Sequence, residues 1–208
     1  MTFVKILTGL MFFTLFREAP LMRESEEPYH IEHKKDIPEM AQIFYNTGNA
    51  GELVSPNIDP LILAGMSWEE SRWRQRGKDG DPRYIRGQGY VGMSVGPMQI
   101  TKAAPRLVKF LDQEYQPQWI GLTVSQLRDP KTNIQFAYTL LQYYKGKCGG
   151  SPSVWIDAYG RGKCPKVKSG KPQIGWKAKR RCKNTDWFIS QFKKQDNDFV
   201  VPEGYSCL

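Results

Sequence analysis

Two stretches of the chain carry side chains whose types and spacing suit acid–base chemistry. In the first, residues 59–73, Leu63, Met66, Glu70 and Trp73 follow one another at i, i+3, i+7 and i+10, which is the spacing of one helical face. A carboxylate in such an apolar stripe is expected to be buried, and burial disfavours its ionised form. The pattern therefore predicts that Glu70 holds a proton near neutral pH, as a general acid must.

The same stretch offers two alternatives to a catalytic Glu70. The adjacent carboxylate, Glu69, lies one position round the helix and is expected to face solvent. Glu70 is also near Arg72 and Arg74 in the sequence, and a buried ion pair with either arginine would be a purely structural role. Helical periodicity favours Glu70 over Glu69 as the acid.

Three short motifs resemble those of the soluble lytic transglycosylases and the wider lysozyme-like superfamily. The first is a hydrophobic helix that ends in Glu-Ser-x-aromatic, the second is Gly-x-Met-Gln-Ile, and the third is Ala-Tyr-Asn-x-Gly. Residues 70–73, 96–100 and 158–162 match them, with Gly160 where the family usually has Asn. The motifs follow the family's order and spacing across residues 55–165, and their co-occurrence is far more specific than any one of them.

The resemblance implies a mainly α, lysozyme-like fold, with a helical bundle around a substrate cleft and at most a small β element. It also implies cleavage of the β-1,4 bond between N-acetylmuramic acid and N-acetylglucosamine in peptidoglycan, with Glu70 as the catalytic residue. Ser71 and Gln99 would orient the acid or hold an N-acetyl group, and the Tyr159 hydroxyl would bond the acid or the sugar. Glycine at position 96 would let a turn approach the sugar closely. The candidate substrate-binding residues are Ser71, Gly96, Met98, Gln99 and Tyr159, of which Met98 is interpreted as packing.

The number of carboxylates separates two reactions at such a site. Ordinary glycosidases use a pair of carboxyl groups. The resemblance to lytic transglycosylases implies that one acid suffices, because the C6 hydroxyl of the sugar attacks the anomeric carbon and closes a 1,6-anhydro ring. Asp79 and Asp81 are the loop acids between the first two motifs, and a goose-type lysozyme that uses one of them is the alternative. No metal or cofactor is expected.

The charge of the chain predicts an anionic partner. Thirty Lys and Arg residues against 21 Asp and Glu residues give a formal net charge of +9, which suits nucleic acid, anionic lipid headgroups or bacterial cell wall. The sequence contains neither a phosphate-binding loop nor a zinc pattern, and basic charge alone is usually a solvated surface. Nucleic acid is therefore not expected, and the resemblance to the lytic transglycosylases implies that the partner is the glycan strand of peptidoglycan.

All four cysteines lie in the C-terminal third, at positions 148, 164, 182 and 207. An even number in a basic chain with an apolar N-terminus is compatible with two disulfides and an oxidising compartment. Of the three possible pairings we favour Cys148 with Cys164 and Cys182 with Cys207. Four reduced thiols in a cytoplasmic protein are the alternative, and the expected location is periplasmic or secreted.

Three regions are expected along the chain. Residues 1–36 contain an apolar stretch at 3–16 and a charged linker; the apolar stretch is either an export signal or a helix that packs on the domain, on a membrane or on another protein. Residues 37–165 form the lysozyme-like domain. Residues 166–208 form a basic extension whose tryptophans, Trp176 and Trp187, would stack on sugars or bases. The alternative is a last helix at about 175–194 whose Trp187 packs on the domain while its lysines face water. A non-catalytic, wall-binding component of a secretion system or virion is the competing functional class.

Local signals predict the secondary structure. A short helix is expected at 40–45, ended by Gly48 and Gly51, and Asp59 with Pro60 is expected to cap and begin the helix that leads to Glu70. Further helices are expected at 102–111 and 133–144 and from Pro152 onward. The polar stretch 77–92 is expected to be a loop that forms a wall of the cleft, and strands are scarce.

Overall fold

The computed structural model describes residues 2–18, 36–73, 82–85, 89–100 and 122–207, which form seven helices and two short hairpins. The expected mainly α fold with a small β element is confirmed. In chain order the elements are α1 (Phe3–Glu18), α2 (Ile37–Asn49), α3 (Asp59–Ser71), β1 (Pro82–Ile85), β2 (Gly89–Met93), α4 (Val124–Leu127), α5 (Pro130–Cys148), α6 (Pro152–Arg161), β3 (Val167–Lys168), β4 (Lys171–Pro172) and α7 (Trp176–Gln195).

Helix α3 is the centre of the bundle. Every residue from Asp59 to Trp68 is buried. The sequence predicted burial of one face only, whereas this part of the helix is covered on all sides. It packs most extensively against α7 and next against α2. Two glycines allow this close approach, because a Cβ at Gly65 would lie 2.7 Å from the backbone nitrogen of Thr185, and one at Gly48 would lie 2.5 Å from Pro60 Cδ. Helix α2 runs to Asn49 and has Ala50 as its C-cap, so Gly48 lies inside the helix and does not end it.

Asp59 does not cap α3, and that prediction was wrong. The N-cap residue is Ile58, and the Asp59 carboxylate turns back to the preceding loop. It accepts hydrogen bonds from the backbone nitrogens of Leu53 (2.7 Å), Val54 (2.8 Å) and Ser55 (3.2 Å). It also accepts one from the Tyr138 hydroxyl at 2.7 Å, so a fully buried carboxylate joins the loop before α3 to α5.

The apolar N-terminal stretch forms α1, which packs against α2 and α7. Five of its side chains belong to the hydrophobic core: Ile6, Leu7, Leu10, Met11 and Leu15. The Phe3 ring lies 4.4 Å from that of Phe192 and 5.2 Å from that of Tyr45, measured between ring centroids. In the described part of the chain, no helix has the length and apolar character needed to cross a membrane.

Three predicted helices are confirmed as α5, α6 and α7. The Asp129 side chain caps α5 by accepting a hydrogen bond from the Thr132 nitrogen at 2.8 Å, and Pro130 begins that helix. Both favoured disulfides, Cys148–Cys164 and Cys182–Cys207, are confirmed. The stretch predicted as a loop at 77–92 contains strands: β1 and β2 pair there in an antiparallel arrangement. The helix expected at 102–111 lies outside the described residues.

Candidate active site

Helix α3 ends in an abrupt reversal directly after the candidate acid. Arg72 and Trp73 both adopt the left-handed conformation, each with φ 59°, which is unfavourable for residues that carry a Cβ. The reversal folds the Trp73 ring back along the helix, where its Nε1 donates a hydrogen bond to the Ala64 carbonyl at 2.8 Å. The indole is fully buried and lies 4.5 Å from the Trp68 ring. Glu70 and Ser71 therefore lie on the last turn of a well-anchored helix.

The second motif forms a closed turn. Val95 and Ile100 exchange two backbone hydrogen bonds, of 2.9 and 3.0 Å, and so bring the two ends of the turn together. Gly96 and Gln99 both have positive φ, of 73° and 50°. The Gln99 side-chain amide donates to the Gly96 carbonyl at 3.0 Å, which helps to hold this conformation.

A residue that sequence reasoning missed fixes this turn in place. Asn133, on the first turns of α5 and completely buried, accepts a hydrogen bond from the Met98 nitrogen at 2.8 Å. Its amide donates to the Val95 carbonyl (3.0 Å) and to the Leu127 carbonyl (2.8 Å). A Cβ at Gly96 would lie 2.4 Å from the Asn133 amide nitrogen, so contact with Asn133 is itself a reason for glycine here. The sequence did contain a signal for this role, because Asn133 is a polar residue placed one helical turn before Ala137, on a face that is otherwise apolar.

Hydroxyl groups from the first and third motifs join the turn to its neighbours. Ser71 and Ser67 both donate to the Pro97 carbonyl, at 2.8 and 3.2 Å. The Tyr159 hydroxyl on α6 donates to the Met98 carbonyl at 2.7 Å. The structure thus brings the three motifs together around residues 97–98. Met98 itself is fully buried in the core, while substrate contacts of Ser71, Gly96, Gln99 and Tyr159 stay predictions.

The partner of Glu70 is an arginine from the far end of the chain. Arg181 on α7 forms a hydrogen-bonded ion pair with Glu70 through Nη2 and Oε1. The Glu70 side chain is 11% exposed, and the Arg181 side chain is only 4% exposed. The Arg181 guanidinium also donates to the Ile156 carbonyl at 3.3 Å and lies 5.9 Å from the centroid of the Tyr159 ring. The sequence predicted apolar surroundings for this carboxylate, or else a pair with Arg72 or Arg74; the structure places a different cation against it.

Glu69 is largely buried as well, and the expectation that it faces solvent was wrong. Its side chain is 9% exposed and lies 3.1 Å from Arg180 Nε and 3.8 Å from Arg72 Nη1. The physical reason is that α7 packs along this part of α3 and brings Arg180 and Arg181 to consecutive glutamates. Each glutamate therefore has its own arginine from α7.

The tryptophans of the basic segment differ in their surroundings. Trp176, at the start of α7, is 62% exposed, and the Arg180 guanidinium lies 5.7 Å from its ring centroid. Trp187 packs against the core and stacks on Phe13 with centroids 6.3 Å apart. Trp187 thus follows the packing alternative, and sugar stacking by Trp176 stays a prediction.

Asp79, Asp81 and Arg74 lie outside the described residues. Among the residues that are described, no three His, Cys, Asp or Glu side chains lie close enough together to form a metal-binding group.

Comparison with protein families shows that residues 50–181 match the family model of the transglycosylase SLT domain. This match covers more than half of the chain, includes all three motifs and ends at Arg181. The chain belongs to the transglycosylase SLT-domain family. No curated protein and no solved structure matches it.

Membership of the SLT-domain family supports a function of the lytic-transglycosylase type that acts on peptidoglycan. It also implies that the domain binds peptidoglycan. The family's place of action and the two disulfides are both consistent with a periplasmic or secreted protein.

Proposed function

We propose that this protein is a peptidoglycan lytic transglycosylase that cleaves the β-1,4 bond between N-acetylmuramic acid and N-acetylglucosamine with Glu70 as its single acid and base. The product would be a glycan that ends in a 1,6-anhydro sugar. The observation that carries the proposal is the position of Glu70, which lies largely buried on the last turn of α3, where the three family motifs meet.

The proposed reaction needs one carboxyl group in two successive roles. The carboxylate paired with Arg181 corresponds to Glu70 after proton release. The reaction starts from the protonated form of Glu70, which donates its proton to the glycosidic oxygen as the bond to the anomeric carbon breaks. The resulting carboxylate takes the proton of the C6 hydroxyl of the same N-acetylmuramic acid, whose oxygen attacks the anomeric carbon. One glycosidic bond between two sugars is exchanged for one intramolecular glycosidic bond between C1 and O6, and Glu70 regains its proton.

The adjacent glutamate is a poor candidate for a second carboxylate. Glu69 pairs with Arg180 at 3.1 Å and lies beside Arg72, whereas Glu70 pairs with Arg181. Only Glu70 matches the glutamate of the Glu-Ser motif, and we assign the single acid to it on that ground.

The second and third motifs would hold the substrate beside Glu70. We assign the N-acetyl group to the neighbourhood of Gln99 and Tyr159, which are tied to residues 96 and 98 of the turn by their hydrogen bonds. Ser71 would act from the other side, because its bond to the Pro97 carbonyl fixes the turn against the helix that carries the acid.

Glu70→Gln tests the assignment, with Glu69→Gln as its matched control. Both substitutions replace a largely buried, arginine-paired carboxylate by an amide of the same shape, and only the first removes the proposed acid. We expect Glu70→Gln to lose at least about 1,000-fold of the wall-digesting activity, within the range spanned by removal of an acid–base group and its charge. Glu69→Gln should retain activity within about tenfold of wild type, because Glu69 has no role in the proposed reaction and the arginines beside it, Arg180 and Arg72, stay partly exposed to water when its charge is removed.

Mass spectrometry of the digested wall identifies the reaction. Anhydro-muramyl ends are expected for the proposed transglycosylase. Reducing ends would instead indicate a hydrolase, and Asp79→Asn and Asp81→Asn would then show which loop carboxylate activates water. Equal activity of wild type and Glu70→Gln would contradict the assigned acid. Binding to the wall without any digestion by the wild type would favour the wall-binding scaffold.

A further inference from the structure

We propose that Arg181 is a positioning residue of the active site, and that the C-terminal helix α7 is thereby a functional part of the domain. Its guanidinium would hold the Glu70 carboxylate in one orientation and stabilise the negative charge that develops when Glu70 gives up its proton. This inference rests on the proposed role of Glu70.

The route by which Arg181 reaches Glu70 depends on Gly160. A Cβ at position 160 would lie 2.6 Å from Arg181 Nη1, closer than real Cβ contacts allow. Gly160 lies inside α6, in the third motif, directly after Tyr159. Where the family's third motif usually has the side chain of an Asn, this chain has none, and the Arg181 guanidinium fills that space.

The energetics of the pair favour a functional explanation over a purely stabilising one. Removing two charged groups from water is costly, and buried ion pairs are often no more stable than apolar residues of similar volume. Arg181 is not even fully satisfied, because its buried Nε has no hydrogen-bond partner in the described part of the chain. A buried donor without a partner is unfavourable, so stability alone is a weak reason for an arginine at this position.

The chemistry of the proposed reaction gives the cation a use. When the glycosidic oxygen takes the proton, negative charge appears on the Glu70 carboxylate, next to the Arg181 guanidinium. A fixed positive charge in a site shielded from water lowers the energy of the ionised Glu70 carboxylate, and no surrounding group has to reorient during the reaction. The bond from Arg181 to the Ile156 carbonyl holds the guanidinium itself in place.

Substitution of Arg181 in the full, disulfide-bonded chain tests the proposal. For Arg181→Met we expect kcat on soluble glycan strands to fall about 100-fold, the lower end of the loss seen when one charge-stabilising group is removed, with KM within about threefold of wild type. Arg181→Lys, which keeps the charge, should recover at least about tenfold of that loss. Lys183→Met is the matched control, because it removes one charge from an exposed position of the same helix; its kcat should equal that of wild type.

Gly160→Ala moves the guanidinium without removing it, and it serves where Arg181→Met fails to fold. Alanine favours a helix by about 1 kcal/mol over glycine, and the atom that must move is the tip of a side chain. We expect the melting temperature to be unchanged or higher and kcat to fall about 10- to 100-fold, because a misplacement of about 1 Å has effects of this size. Gly146→Ala is the control, since a Cβ at Gly146 in α5 would meet nothing within 4 Å.

The outcomes separate this inference from the proposed function. An inactive wild type, or an active Glu70→Gln, would overturn both. If the wild type is active and Glu70→Gln is not, wild-type kcat in folded Arg181→Met or Gly160→Ala would overturn the role of Arg181 alone. A higher kcat in Arg181→Met would also overturn it, because the arginine would then restrain the acid.

Discussion

Asn133→Ala should be one of the most destabilising single substitutions in the domain, and it would act at the turn that carries Gln99. The substitution removes three buried hydrogen bonds, to the Met98 nitrogen and to the carbonyls of Val95 and Leu127. It leaves the Met98 nitrogen and the Leu127 carbonyl without this partner in a space that the amide no longer fills, while the Val95 carbonyl keeps its hydrogen bond from the Ile100 nitrogen.

The expected loss follows from these three bonds. A typical net contribution is about 0.5–1.5 kcal/mol for each bond, and a buried group left unpaired costs about 1–3 kcal/mol. Partial relaxation of the turn reduces the sum, so we expect a loss of about 3–5 kcal/mol in the free energy of unfolding. For a chain of this size that corresponds to a fall of about 6–20 °C in melting temperature.

Urea unfolding monitored by tryptophan fluorescence, with both disulfides intact, measures the difference. Thr139→Ala is the control on the same helix, because its hydroxyl makes a local bond to the Gln135 carbonyl (3.1 Å) that does not join two segments; its loss should be below about 1 kcal/mol. Asn133→Asp should be at least as unstable as Asn133→Ala, since an acceptor would face two carbonyl oxygens. A loss below about 1 kcal/mol for Asn133→Ala, or one equal to that of Thr139→Ala, would refute this account of the turn.

Two further predictions concern the frame around the site. Burial raises the pKa of Asp59 above its usual range, so the folded state binds the carboxyl proton more tightly than the unfolded state does. The stability gained from this proton is complete below the unfolded pKa of about 4. It is lost as pH rises through the raised pKa of the folded state. Urea unfolding between pH 4 and 7 should therefore show a steeper loss for wild type than for Asp59→Asn, and equal slopes would contradict it. Replacing Cys182 and Cys207 by serine opens a cross-link between residues 25 apart and should lower the free energy of unfolding by about 3 kcal/mol; a loss below about 1 kcal/mol would argue against it.

Local signals in the sequence were sufficient to predict most helices. Pro130 after Asp129 and Pro152 after Ser151 mark helix starts through backbone chemistry that needs no tertiary contact. The favoured disulfide pairing, which joins cysteines that are consecutive in the chain, is confirmed. Asp59 shows where local signals fail. An Asp before a Pro is typical of a helix N-cap, but the Asp59 carboxylate accepts hydrogen bonds from the backbone of the preceding loop instead.

The contacts that complete the site could not be predicted in this way. Arg181 lies 111 positions after Glu70, and its approach depends on how α7 crosses α3 and on the missing side chain at Gly160. The departure from the family's Asn at position 160 was visible, but no local pattern connects it to an arginine in the next helix. Glu69 was misjudged for the same reason, since its arginine also comes from α7.

The packing of α7 on α3 has a practical consequence for producing this protein in pieces. A fragment cut at the sequence-derived boundary, residues 37–165, would lose the helix that covers the central helix most extensively. Apolar side chains such as Trp73, whose ring lies 5.8 Å from that of Phe188, would then face water. Fragments that lack α7 should therefore be prone to aggregation, whatever motifs they retain.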